Sequence, residues 1–594
     1  MAEPKQRIDP QLHTDYLAEM RALDEFRAQL SARHPEAQVR RDDPDARRLM
    51  EAMAYFTVRS RRQLLQNMEA TWLRLFSDQF EPLLSPLPAA FMLQAVVHPR
   101  RTEVTVLPRG TELRLTNTEG AAASFRTLAE LRVLPARMER AYLLRDPAGR
   151  YQRIALTLSS RFAHTDHVGL LRLHTRIADD YPASARLLYN LRAHLLRAHV
   201  VYDAPADPEK VGESCAVSFG SEELRAQDAQ SFQSTSAAET IHPLARARSF
   251  FHFPERELFL NLLVPPVPGG RPWQRLVLYL DLAPDWPAED IGPDLFHLHA
   301  VPVENLRQEP ATPLTFDGTQ DALALRHPNP EQGFALHSVR GVYRVGSSGL
   351  EPLRTGTLPE LSVPSDTAAP MADGLSYQLD ERLTPLGPRP YLVVRAPTAL
   401  LHPLRVQVDA LWHQPGFTAH PVVTTGPARP FIRGRVLEGL EWQLLGGGRA
   451  EAPSPLRGAL PALLGVLSLS MRPVLPEAEL RWLMQLLVGT SGPAAYRAFP
   501  GRLQKLTWSV SPDSALRGSG LRHVYKAQLS TSSSDSDAGG SPAEDEALAW
   551  HFLCWTQYVL DSWNQDSSVD LQVDTGDTVV QLPLIDPTQP QEEG

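Results

Sequence analysis

Two periods divide the chain. Over the first ninety residues apolar side chains recur every three or four positions: Leu12, Tyr16, Met20, Leu23, Phe26 and Leu30, then Leu49, Met53, Phe56, Leu64, Met68, Trp72, Leu75 and Phe80. That spacing puts each set on one face of a helix. Asp9-Pro10 and Asp43-Pro44 each place a capping carboxylate before a proline at the first helical position. The pattern therefore predicts one helix to about Ser31 and a longer one to about Leu84. Burying seven or eight such side chains is worth on the order of 10 kcal/mol gross, and a stripe that long is not left in water. The helices could cover each other within their own domain, but few other helical patterns lie nearby. Packing against another protein is therefore favoured, with Leu12, Tyr16, Met20, Leu23, Leu49, Met53 and Phe56 as its candidate residues.

From Phe91 the period falls to two. Residues 91–97, 102–107, 112–116, 124–127 and 131–135 read as strands, with Pro108-Arg109-Gly110 as a turn, and further strands are expected at 153–159 and 169–174. A helix is expected over 183–199 and a mostly loop stretch over 204–240. The aromatic centre follows: Phe250, Phe251, Phe253 and Phe259 fall within ten positions of a chain that is 7% aromatic, marking deeply covered ground. Leu276, Leu278, Leu280 and Leu282 share one strand face with Val277 and Tyr279 on the other. Both faces are apolar, as in a fully buried strand. Later strands are expected at 334–345, 391–395 and 404–411, a linker at 359–374, and a helix at 477–488. A second helix carries Leu548, Phe552, Trp555, Val559 and Trp563, and an exposed strand follows at 569–573. Residues 530–545 read as an acidic, disordered loop and 583–594 as a frayed tail.

Composition narrows the classes. Proline numbers 53 in 594 residues, about 9% against a usual ~5%, which favours loops and short strands. The fold class is α+β, mainly β: an N-terminal helical segment followed by several proline-rich β-domains with few helices. The expected division is 1–88, 89–240, 241–360, 361–470 and 471–594. A net charge of −10 with scattered arginines gives no stripe for nucleic acid. No run is apolar for long enough to insert directly in a membrane. The start Met1-Ala-Glu-Pro-Lys-Gln shows no signal segment, so a cytoplasmic location is expected.

Candidate chemistry is sparse. His164, Asp166 and His167 cluster but show no fourth metal ligand, and His297 and His299 would share one face of a strand. Cys215 and Cys554 lack partners for a disulfide framework or a CxxC motif. Gly446-Gly447-Gly448 lacks the lysine of a phosphate loop. The expectation is no catalytic residue, no metal and no cofactor.

Several stretches resemble the TssF (ImpG/VasA) family, baseplate subunits of the bacterial type VI secretion system. Phe253-Pro254-Glu255-Arg256 with Phe259, and Leu298-His299-Ala300-Val301-Pro302-Val303-Glu304-Asn305-Leu306, are similar to two of its signatures. Asp9-Pro10 with Tyr16 and Glu19-Met20, Asp43-Pro44 with Tyr55-Phe56, and Phe125-Arg126-Thr127 follow in the family's order. Trp412-His413-Gln414-Pro415 departs from the run that the family carries there. The resemblance implies a structural role without catalysis, and a core built on Phe253, Pro254, Phe259, Pro302 and Asn305. It also implies a helical bundle shared with TssG and a second copy of TssF, with TssK and TssE, around the VgrG hub, and docking at the inner-membrane complex. A wedge subunit of another phage-like contractile device is the near alternative, and a cytosolic β-sandwich enzyme or glycan-binding protein the distant one.

Overall fold

The computed structural model describes residues 10–34, 43–98, 100–116, 122–146, 152–203, 212–221, 243–287, 291–347, 349–355, 374–384, 387–396, 402–415, 417, 431–432, 435–436, 440–456, 459–470, 472, 474–489, 494–512, 521–529, 542–563, 567–574 and 579–581. Asp9, the linker 359–373, loop residues 530–541 and the tail 583–594 lie outside them. So do the side chains of Leu75 and Phe80. Two helices open the fold, α1 (Pro10–Arg33) and α2 (Pro44–Leu84). Asp43 Oδ1 accepts from the Asp45 and Ala46 amides at 3.0 and 3.4 Å, which is the N-cap expected of α2. At 1.5 Å rise per residue α2 is roughly 60 Å long.

The body is mainly β. An antiparallel eight-stranded sheet runs in the order Phe296–Leu298, Gly169–Thr175, Phe259–Val264, Glu213–Phe219, Leu195–Tyr202, Trp273–Leu282, Gln152–His164, Arg137–Arg145. The Trp273–Leu282 strand lies inside this sheet with Leu276, Leu278 and Leu280 fully buried on one side and Val277 and Tyr279 on the other. A five-stranded sheet orders Leu440–Leu444, Ala90–Val97, Ala300–Glu304, Ala122–Thr127 and Glu112–Thr116, drawing strands from widely separated parts of the chain. A third sheet is built around Leu404–His413 and Ala335–Gly346. It shares a core with a four-stranded sheet around Ser376–Thr384 and Gly387–Arg395. The C-terminal sheet pairs Leu503–Pro512 with Leu521–Leu529, then Ser567–Asp574 and Val579–Gln581.

Helices α3 (Tyr181–His194), α4 (Pro243–His252), α5 (Leu460–Ser470), α6 (Glu477–Val488) and the Pro542–Trp563 helix gather in one core with the end of α2. Phe250 stacks on Trp555 at 4.6 Å there, and the Tyr181 and Tyr496 hydroxyls meet at 2.6 Å. The aromatic centre is thus a junction. Phe250 and Phe251 serve the helical core, Phe253 and Phe259 a small cluster with Ala90, Met92, Ala300 and Leu445, and Leu276–Leu282 the eight-stranded core.

Four local expectations are corrected. The helix over 183–199 stops at His194, and its remainder is the Leu195–Tyr202 strand, where Ala198, Val200 and Tyr202 face the core. Within 204–240, Glu213–Phe219 is a strand because its edges pair on both sides. Pro542–Asp545 belongs to a helix, where Asp545 binds Arg502 at 2.7 Å, and not to a disordered loop. The strand at 569–573 is not exposed: Val569 and Leu571 are buried in the helical core.

Candidate partner interface and its anchorage

Among the described residues nineteen large apolar side chains are exposed, and ten of them lie on α1 and α2: Leu17, Phe26, Leu30, Leu49, Met53, Tyr55, Phe56, Leu64, Leu65 and Met68. Exposed apolar residues scattered singly are ordinary, but a contiguous set marks an interaction surface. Leu49, Met53, Phe56, Leu64 and Met68 follow helical spacing along one side of α2, with Leu49 and Phe56 both 63% exposed. Ala54 and Val58 are buried on another side, and α1 packs on α2. The seven predicted interface residues accordingly divide. Leu12, Tyr16, Met20 and Leu23 are half-buried on α1, whereas Leu49, Met53 and Phe56 stand open on α2.

The C-terminal end of α2 has the opposite environment. Phe76, Leu83 and Leu84 are buried in the helical core with Trp72 and Leu73 packed beside them. Beyond it, residues 85–90 lead into the five-stranded sheet, and six consecutive carbonyls are each taken by a different residue. Arg248 Nη1 donates to Ser85 O at 2.6 Å, His337 Nε2 to Pro86 O at 3.0 Å and His252 Nε2 to Pro88 O at 3.0 Å. The Ala452, Asn305 and Arg449 amides donate to Leu87 O, Ala89 O and Ala90 O at 3.0, 2.8 and 2.8 Å. Ser454 Oγ holds Leu83 O at 2.7 Å. Arg248, with only 2% of its surface exposed, also donates to Pro453 O at 3.3 Å, and burial lowers its pKa to about 10. It remains a cation at the negative end of the α2 dipole.

Both imidazoles are neutral donors. Removal from water lowers His252 to about 4, with Arg248 and Arg449 adding to the shift, and lowers His337 to about 3, with His413 beside it. Sequence gave no signal for these residues, because they reach the α2 exit from 163 to 371 positions away.

Of the signature residues, Phe253, Phe259 and Asn305 are buried, as are Pro254 and Pro302. Asn305 is a node: Nδ2 donates to Ser124 O at 2.9 Å, and Oδ1 accepts from the Gln414 amide at 2.7 Å. Gln414 Oε1 in turn accepts from the Ser124 amide at 2.9 Å, so the departure from the family's run at 412–415 still closes this network. His297 and His299 do not share a face. His299 has φ 55°, a left-handed kink where the chain leaves the eight-stranded sheet for the five-stranded one. Its Nε2 accepts from the Leu134 amide at 3.1 Å, while the His297 ring lies 6.5 Å from that of His174.

His164 and Asp166 also separate in role. Ser160 Oγ lies 2.6 Å from His164 Nε2, a nucleophile and base in contact. The pair is buried, however, and among the described residues no carboxylate is hydrogen-bonded to the ring; Asp166 acts on it by charge alone, and burial outweighs that charge and lowers the ring's pKa. Asp166 and His167 use their carbonyls, which accept from Trp273 Nε1 at 2.9 Å and Arg132 Nη2 at 2.6 Å. No group of three or more His, Cys, Asp or Glu is placed for a metal among the described residues. Cys215 and Cys554 are buried with thiols pushed up to about 12, unsuited to nucleophilic work. Gly448 serves packing, since a Cβ there would sit 1.9 Å from Phe91 Cδ1.

The family model for the type VI secretion system protein TssF matches residues 8–380, well over half of the chain. The chain belongs to the TssF family. A chain from the cryo-electron microscopy structure of the type VI secretion system TssK-TssF-TssG baseplate subcomplex is similar to it with a TM-score of 0.66 and 15% identity. That match covers 92% of this chain and 100% of the other. A chain of the baseplate complex from the type VI secretion system is similar with a TM-score of 0.56 and 15% identity, over 95% and 96%. At this identity the likeness shows the fold, and it extends past residue 380, where the family match ends. None of the curated proteins compared with the chain matches it. Among the described residues no helix of this TssF-family chain is long and apolar enough to cross a membrane.

Proposed function

We propose that this TssF-family chain is a structural wedge subunit of a type VI secretion baseplate, working without catalysis on the cytoplasmic side of the inner-membrane complex. The apolar stripe on α2 carries this reading. Leu49, Met53 and Phe56 are more than half exposed on a helix whose far end is set in the body, and water is a poor destination for such a face. The family membership supplies the occupant: a helical bundle with TssG and a second copy of this chain, with Leu12, Tyr16, Met20 and Leu23 supporting the stripe from α1. TssK is the next partner, by analogy with the TssK-TssF-TssG subcomplex from which the similar chain comes. TssE and the VgrG hub complete the assembly that would support sheath and tube.

Affinity capture of the full chain from its own cells, followed by mass spectrometry, tests the proposal. Recovery of TssG and TssK in stable ratio supports it. Their absence, together with turnover of a substrate that is lost in Ser160→Ala or His164→Ala, would replace it with an enzyme built on that buried pair.

A further inference from the structure

We infer that residues 84–90 form a rigid joint that fixes the direction of the α1–α2 arm relative to the body, so that the arm turns with the body and does not swing. A connection between a long exposed helix and a sheet is where a hinge is ordinarily sought, because a few residues there can absorb a change in φ and ψ. This connection has lost that freedom in two ways, through its prolines and through its hydrogen bonds.

Its sequence, Ser85-Pro86-Leu87-Pro88, fixes φ at two of four positions. Its carbonyls from Ser85 to Ala90 are all hydrogen-bonded, so rotation of any peptide plane breaks at least one bond in a buried setting. The donors come from α4, from the Ala335–Gly346 strand, from Asn305 and from residues 449–452. A swing in any direction therefore works against a different part of the body. The Leu87–Ala452 and Ala90–Arg449 backbone pairs extend the grip as a short antiparallel ladder.

Arg248, His252 and His337 are positioning residues here. They touch the backbone of the joint and are remote in sequence from the exposed stripe. The consequence for partner docking rests on the function proposed above, but the joint itself does not, and the test needs no partner.

Spin labels on Thr57→Cys in the arm and Gln308→Cys in the body, both exposed positions, report their distance by pulsed electron resonance on the full chain. The native Cys215 and Cys554 are buried and leave the introduced thiols as the labelled pair. A single narrow distance is expected. It should be lost to a broad distribution in the His252→Leu/His337→Leu variant and kept in His252→Gln/His337→Gln, where an amide N–H replaces the imidazole donor. Ser454→Ala, which removes one outer bond without touching an imidazole, gives a milder broadening and serves if the leucine variant fails to fold. A broad or two-peaked distribution in the unmodified joint overturns the inference. So does a distribution that stays equally narrow in every folded variant.

Discussion

The Trp273–Leu282 strand and the exposed run of α2 are built from the same kinds of apolar side chain, yet in one they are buried and in the other they stand in water. In the strand, apolar residues occupy both faces, and both are covered by the chain itself: Leu276, Leu278 and Tyr279 have no exposed surface. In α2 an apolar stripe as regular as any in the chain leaves Leu49, Met53, Phe56 and Leu64 more than half exposed. Periodicity reports which side chains act together. It does not report who covers them, which depends on whether the chain supplies a second surface.

The sharpest break in this comparison is Leu278→Asp. It places a carboxylate among the buried apolar side chains of Leu156, Val200 and Leu276, at a cost of several kcal/mol. Loss of soluble protein is the expected outcome, read by expression and melting. A chain that begins at Ala90 is the next largest change. It removes Phe76, Leu83 and Leu84 from the helical core, and at about 2–5 kcal/mol for each large core side chain deleted the body should be strongly destabilised. A start at Thr71 keeps these residues and should melt close to the full chain. If the Ala90 chain melts as the full chain does, the end of α2 is not part of the body.

Much of this was legible in sequence. Both N-terminal helices, the buried strand and the Glu477–Val488 helix rest on strong periodicity or on caps, both local signals. What was hidden is non-local. Leu195–Tyr202 continues a helix-like run, and its pairing with Trp273–Leu282 on one edge and Glu213–Phe219 on the other makes it a strand. His299 turns left-handed because two sheets meet there. Arg248, His252, His337 and Ser454 read as unremarkable polar positions, and they acquire a role only when the fold brings them to the exit of α2. Of the candidate interface, the helical spacing marked all seven residues, but the division into half-covered and open halves depends on α1 lying against α2.

A smaller effect follows from the joint's histidines. Folding lowers His252 to about 4 and His337 to about 3 from 6.5, so between these limits the unfolded chain binds more protons than the folded one. Their contribution is complete above pH 6.5 and is lost as the pH falls, at up to about 1.4 kcal/mol per pH unit for each. His174, His299 and His551 are depressed in the same direction by burial. Melting from pH 7 to pH 4.5 should therefore show a steep fall, and His252→Gln/His337→Gln should flatten it by the share of two groups. An unchanged slope would mean that neither ring is held neutral by the fold.

The smallest effect on stability is expected where the effect on assembly is greatest. Met53→Glu with Phe56→Glu puts two carboxylates on side chains that are 52% and 63% exposed. Both positions are already hydrated in the isolated chain, and surface substitutions of this kind ordinarily stay within about ±0.5 kcal/mol each. Tyr16→Glu with Met20→Glu is a poorer probe, because those side chains are half-buried on α1 and the change would also disturb the helix pair. If the stripe is the surface that TssG and a second copy cover, the α2 double variant buries two unpaired charges in a desolvated interface and loses the partner while its melting temperature stays put. Co-purification with TssG beside thermal melting reads both quantities from one preparation. Unchanged capture of TssG by the α2 variant would remove the stripe from the interface. A collapsed melting temperature without any partner would show that the chain covers this face itself, and the contrast between strand and helix would close.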